Sequence, residues 1–201
     1  MTKIKLCGLT RQCDIEWANE LKPEYIGFVF AEKSRRYVSE EKAAELKAML
    51  SEDIKAVGVF VNYPAKKIAD LLFRGIIDIA QLHGSEDEEY LLRLSQLTDK
   101  PLIKAFSISC EDDVRSAEKS SADMILLDSG KGGTGTNFDW DLLRHIGRPY
   151  FLAGGLGCDN AEEAVRTLHP YAVDVSSGIE TNGCKDKNKM AAFVAAVRKE
   201  I

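Results

Sequence analysis

Apolar positions along this chain change period again and again. Short runs rich in β-branched and aliphatic residues alternate with longer stretches in which apolar side chains recur three and four positions apart. Eight short runs read as strands: Ile4 to Cys7, Tyr25 to Phe30, Ala56 to Val61, Ile77 to Leu82, Leu102 to Phe106, Met124 to Asp128, Tyr150 to Ala153 and Ala172 to Val175. Several are continuously apolar, which is the pattern of a strand covered on both faces. The intervening stretches read as helices. Glu40 to Leu50 puts Ala43, Ala44, Leu46 and Leu50 on one stripe, and Asp87 to Leu97 does the same with Leu91, Leu92 and Leu94. Ser39 is placed to cap the first of these, and Pro64 falls where a first-turn proline is tolerated.

Strand and helix in strict alternation predict a parallel sheet covered by helices. Dividing 201 residues among eight units leaves about 25 for each, close to the lower size of a (β/α)8 barrel. An open doubly wound sheet usually ends at five or six strands and would leave units unplaced. The expected fold is therefore a single TIM barrel over residues 1–201.

Composition narrows the function. A formal net charge of -5 argues against a general nucleic-acid binder or a membrane-surface binder, since both need a basic footprint. No run approaches the roughly 18 apolar residues of a membrane span, and the N-terminus lacks the apolar core of a secretion signal. The cysteines Cys7, Cys13, Cys110, Cys158 and Cys184 are odd in number and scattered, giving neither a disulfide framework nor a metal-ligand spacing. A cytoplasmic protein with reduced thiols and no metal or cofactor is expected, as a monomer or homodimer.

Active sites of (β/α)8 barrels sit where the strands end, so polar residues just past each strand are candidates. Glycine-bearing loops follow the seventh strand (Gly154-Gly155-Leu156) and the eighth (Ser176-Ser177-Gly178). Backbone N–H groups in these two loops commonly hold a phosphate, so a phosphorylated small molecule is the expected partner. Cys7 and Asp128 end the first and sixth strands, offering a base and an acid from two sides of one mouth. An ordinary cysteine pKa of about 8.5 is near enough to neutrality for a neighbouring cation to make the thiolate. Arg35 and Arg36 are candidate carboxylate clamps, with Arg36 preferred, and Gln81 and His83 end the fourth strand. The segment Gly130 to Thr136 fits no nucleoside triphosphate motif and reads as a flap over the mouth, with Phe138-Asp139-Trp140 leading into the next helix. These features alone leave open a phosphosugar enzyme or a non-catalytic binding module.

The ordered set Lys5-Leu6-Cys7-Gly8-Leu9-Thr10, Gly27-Phe28-Val29-Phe30, Ser34-Arg35-Arg36-Tyr37, Gly58-Val59-Phe60-Val61-Asn62, Gln81-Leu82-His83-Gly84, Leu127-Asp128, Gly132-Gly133-Thr134-Gly135, Phe138-Asp139-Trp140, Ala153-Gly154-Gly155-Leu156 and Asp174 to Glu180 resembles the phosphoribosylanthranilate isomerases almost end to end. That resemblance implies an Amadori rearrangement of a phosphorylated aminosugar in tryptophan biosynthesis, with Cys7 as general base and Asp128 as general acid. It also implies that Arg36 holds the anthranilate carboxylate and that the loops around Gly155, Ser177 and Gly178 hold the phosphate. Ser34-Arg35-Arg36 departs from the family's common Ser-Pro-Arg, which keeps Arg35 as the alternative clamp. Asp174 either orients the phosphate loop or forms a buried hydrogen bond, the second being preferred. Cysteine at the first-strand position separates the chain from histidine-pathway isomerases, which usually present two catalytic aspartates, and from indoleglycerol-phosphate synthases, which are expected to use a lysine.

Overall fold

The computed structural model describes residues 1–128, 140–144 and 146–199. Eight parallel strands close into a barrel in chain order: β1 (Lys3–Cys7), β2 (Tyr25–Val29), β3 (Lys55–Phe60), β4 (Ile79–Leu82), β5 (Leu102–Ser107), β6 (Met124–Asp128), β7 (Tyr150–Ala153) and β8 (Ala172–Val175). The barrel closes where β8 returns to β1, with Lys5 opposite Asp174. Every strand expected from the apolar runs is present, three of them (β6, β7 and β8) with unchanged ends.

The α-helices among the described residues are α1 (Gln12–Leu21), α2 (Glu40–Ala48), α3 (Ala65–Phe73), α4 (Glu88–Ser95), α5 (Glu111–Glu118), α6 (Ala161–Leu168) and α7 (Lys187–Arg198). Ser39 caps α2 as its position predicts, its hydroxyl accepting from the Lys42 N–H at 3.2 Å. Pro64 is the N-cap of α3, and Asp87 caps α4 rather than belonging to it.

Two features depart from the expected pattern. Among the described residues between β6 and β7 the helical element is a short 3-10 turn, Trp140–Leu143, in place of an α-helix. The proposed flap Gly130 to Thr136, with Phe138-Asp139, lies outside the described residues. After β8 the chain makes an antiparallel ribbon of β9 (Glu180–Thr181) and β10 (Cys184–Lys185). Its polar pairs carry no apolar alternation, so only the turn signal Asn182-Gly183 was available to find it. Both turn residues have positive φ, 52° and 80°, as a two-residue hairpin with the right-handed strand twist requires.

Alternation along the strands sorts the core into layers. Outward residues such as Ile4, Leu6, Ile26 and Phe28 join the helices in the main core. Tyr25, Val57, Ile79, Ile103, Leu126 and Phe151 form a cluster of inward side chains that plugs the barrel. Cys7, Val29 and Val59 form a small apolar patch at the strand C-termini. With the interior closed below, the mouth above it is where polar chemistry can be held. No described helix is long and apolar enough to cross a membrane.

A buried ionic staple fixes one side of that mouth. Glu86 accepts from the backbone N–H groups of Asn62 (2.6 Å) and Gly84 (2.8 Å), and Lys104 on β5 reaches it at 3.1 Å while also donating to the Gly84 carbonyl at 2.7 Å. Removing one partner of such a pair strands a buried charge at a cost of about 3–5 kcal/mol. Lys104→Met should therefore lower the midpoint of denaturant unfolding by an amount corresponding to about 3–5 kcal/mol at unchanged m-value. A midpoint within experimental error of the wild type would refute the staple's energetic role.

Candidate active site

A cavity of about 590 Å³ opens at the C-terminal ends of the strands. Cys7, Arg36, Gln81, His83, Asp128, Gly155 and Ser177 all line it, so seven of the eight site residues read from the sequence converge there. The eighth, Gly178, stands behind the wall. It bridges to Gly157, and a Cβ on it would fall 2.0 Å from the Leu156 carbonyl oxygen. Glycine at this position lets the loops after β7 and β8 touch, which brings the backbone N–H groups of both to one place. Gly154, Gly155, Leu156, Ser176 and Ser177 border the cavity from those loops.

Cys7 ends β1 and is 7 % exposed. Gly27, opposite it on β2, leaves the space its sulfur fills, since a Cβ there would lie 2.7 Å from Sγ. Lys5 lies two residues back on the same face of the strand. It is fully buried and pairs with Asp174 of β8, Nζ to Oδ1 2.9 Å. The Asp174 carboxylate thus takes the buried-bond role preferred from the sequence, in an ion pair, and it also reaches the cavity. From the other side comes Lys185 of β10, its Nζ donating to the Ser176 carbonyl at 2.8 Å. Burial pushes the Cys7 thiol up, while Lys5 and Lys185 pull it down; burial prevails. The cations that the sequence reading looks for beside the thiol are present, but the sulfur they serve is largely buried.

Across the cavity Asp128 ends β6 with His83 beside it, Nε2 to Oδ2 3.5 Å. Gln81, 1 % exposed, sets its Nε2 2.9 Å from His83 Nδ1. With the amide nitrogen donating, Nδ1 is the acceptor and the ring proton sits on Nε2, facing Asp128. The Gln81 Oε1 is buried and has no partner among the described residues. A buried amide oxygen left unpaired costs about 1–3 kcal/mol, so a donor arriving from a ligand would be met favourably.

The two arginines separate clearly. Arg36 lines the cavity with its side chain 20 % exposed, whereas Arg35 is 60 % exposed and lies outside the lining. Both contact Glu180 of β9: Arg36 through Nε (2.6 Å) and Nη2 (3.0 Å), Arg35 through Nη2 at 2.7 Å. Lys185 adds a third cation to the same carboxylate at 2.7 Å. Lys5, Lys185 and Glu180 were missed as site residues. For Lys5 the available signal was its spacing of two from Cys7; Glu180 closes the motif that begins at Asp174.

Known proteins resemble this chain in sequence and fold. Residues 4–196 fit the family of N-(5'-phosphoribosyl)anthranilate (PRA) isomerases. An isomerase of that name from Endomicrobium trichonymphae is 46% identical, covering 98% of this chain and 99% of its own. The crystal structure of phosphoribosyl anthranilate isomerase from Thermotoga maritima superposes with a TM-score of 0.90 at 36% identity, over 98% of this chain and 99% of that one. A second isomerase structure, holding reduced 1-(o-carboxyphenylamino)-1-deoxyribulose 5-phosphate, gives a TM-score of 0.88 at 35% identity with 98% and 99% covered. The chain belongs to the N-(5'-phosphoribosyl)anthranilate isomerase family.

Proposed function

We propose that this protein, acting as one barrel domain over residues 1–201, converts N-(5'-phosphoribosyl)anthranilate to 1-(2-carboxyphenylamino)-1-deoxyribulose 5-phosphate in tryptophan biosynthesis. The observation that carries the reading is the meeting of Cys7 and Asp128 in one cavity, although they come from β1 and β6, three strands apart around the barrel.

The reaction needs an acid and a base in that relation. Asp128 gives its proton to the furanose ring oxygen as the bond from that oxygen to C1' breaks, and the substrate nitrogen's lone pair forms the Schiff base. Cys7 as thiolate takes the proton from C2'; the electron pair left behind moves toward the iminium to give the enolamine, which tautomerises to the ketone. The substrate's own nitrogen is the electron sink, so the chemistry calls for no metal or redox group. His83, with its Nε2 proton directed at Asp128, is suited to stabilise the carboxylate once the proton has left, and Gln81 holds that tautomer. Arg36 offers a planar fork to the anthranilate carboxylate. The loops carrying Gly155, Ser177 and Gly178 offer backbone donors to the phosphate.

Freshly generated phosphoribosylanthranilate, followed by anthranilate fluorescence, should be consumed by the wild type. Cys7→Ala and Asp128→Ala, at equal folded concentration, should each lose about 10²–10⁴-fold in kcat. Ligand binding without wild-type turnover would instead identify a binding module.

The sign of the thiol shift gives a second test. A cysteine acid whose pKa is raised by burial keeps its proton through neutrality and becomes reactive as pH climbs past the ordinary thiol range. In a protein whose other cysteines are replaced by serine, iodoacetamide should label Cys7 with a rate still rising above about pH 8.5. A rate already level by neutral pH would show that Lys5 and Lys185 outweigh burial.

A further inference from the structure

The reaction as written uses Arg36 and gives its closest partner no task. Glu180 takes two of the five guanidinium N–H groups of Arg36, Nε to Oε1 at 2.6 Å and Nη2 to Oε2 at 3.0 Å. Three N–H groups remain, both on Nη1 and one on Nη2, and these include the end-on edge that accepts a second carboxylate bidentately. The stem of Arg36 is fixed as well. It lies so close over Gly8, at φ 80°, that a Cβ there would come within 2.4 Å of Cδ.

Glu180 is itself held on every side. Its backbone N–H donates to the Ser177 carbonyl at 3.0 Å, and its own carbonyl accepts from Lys189 Nζ at 2.7 Å. It faces Lys185 across the ribbon, and its side chain is 5 % exposed. Burial alone would push this carboxyl up, but Arg36 and Lys185 bring it below the usual carboxylate range, so it stays ionised. Three cations contact this one carboxylate, and of them Arg36 lines the cavity.

We propose that Glu180 is a positioning residue for substrate recognition: it locks Arg36 side-on so that the end-on edge of the guanidinium is presented to the anthranilate carboxylate, while Arg35 serves only as an outer counter-ion of Glu180. An arginine that is already ordered gives up less side-chain freedom when it binds, so affinity for the carboxylate depends on a residue that never touches it. This inference rests on the isomerase reading above.

The test compares two ligands by calorimetry: the reduced product analogue 1-(o-carboxyphenylamino)-1-deoxyribulose 5-phosphate, and its counterpart without the ring carboxylate. The wild type should favour the first by at least about tenfold, the range of a charge-assisted hydrogen bond. Glu180→Gln should reduce that preference by about tenfold, leaving affinity for the carboxylate-free ligand unchanged and raising KM for substrate far more than it lowers kcat. Glu180→Asp, which keeps the charge on a shorter arm, should recover part of the preference and serves in its place if Glu180→Gln does not fold. Arg35→Ala should keep the full preference. An undiminished preference in the folded Glu180 variants, or its loss in Arg35→Ala, overturns the proposal, as does equal wild-type binding of the two ligands. A wild type that shows the preference but no turnover refutes the isomerase reading alone.

Discussion

Lys5 and Asp174 meet inside the barrel at the seam where the last strand rejoins the first, 2.9 Å apart and out of water. Desolvating two charges costs about as much as their attraction returns, so the pair is a poor source of net stability. Its value lies in what it forbids. Sliding β8 by one residue against β1 would turn Asp174 toward the apolar helix layer and leave Lys5 alone in the interior, each a penalty of several kcal/mol. The pair therefore pins the closing register, and with it everything that β1 and β8 carry to the mouth: Cys7 on one, the Ser176-Ser177-Gly178 loop on the other. The Ser176 hydroxyl, donating to the Cys7 carbonyl at 3.2 Å, continues that seam upward.

The same seam supports both ends of the site proposed to bind anions. On the proposed phosphate side, contact between Gly157 and Gly178 joins the loops after β7 and β8. Two residues further on, Glu180 turns back through its bond to Ser177 and holds Arg36. A chain with a net charge of -5 can thus receive a substrate bearing both a phosphate and a carboxylate, because the positive potential is local and fixed rather than spread over the surface.

Much of this was legible in the sequence, for particular reasons. Strands buried on both faces announce themselves as apolar runs, and their ends fall where the run meets a polar mouth residue; this is why β6 could be read as ending at Asp128 and β8 as ending before Ser176. The convergence of Cys7, Arg36, Gln81, His83 and Asp128 followed from barrel geometry, which sends every strand end to one face. What escaped reading depends on contacts between residues distant in the chain. Lys5 looks like a solvated charge at an N-terminus until its partner 169 positions away is known. Glu180 looks like a surface carboxylate until the ribbon folds it under Arg36. Gly178, read as a phosphate ligand, lies one layer behind the cavity because its missing side chain is needed by a neighbouring carbonyl.

The two groups proposed for proton transfer sit in different surroundings. Cys7 sits in an apolar patch with Val29 and Val59, where burial favours the neutral thiol and two lysines restrain it from climbing further. Asp128 is partly open to water, with the His83 imidazole beside it, Nε2 to Oδ2 3.5 Å. In the proposed reaction the thiolate forms against burial, so abstraction at C2' is the step that calls on Lys5 and Lys185, and so on the seam that Lys5 and Asp174 hold closed.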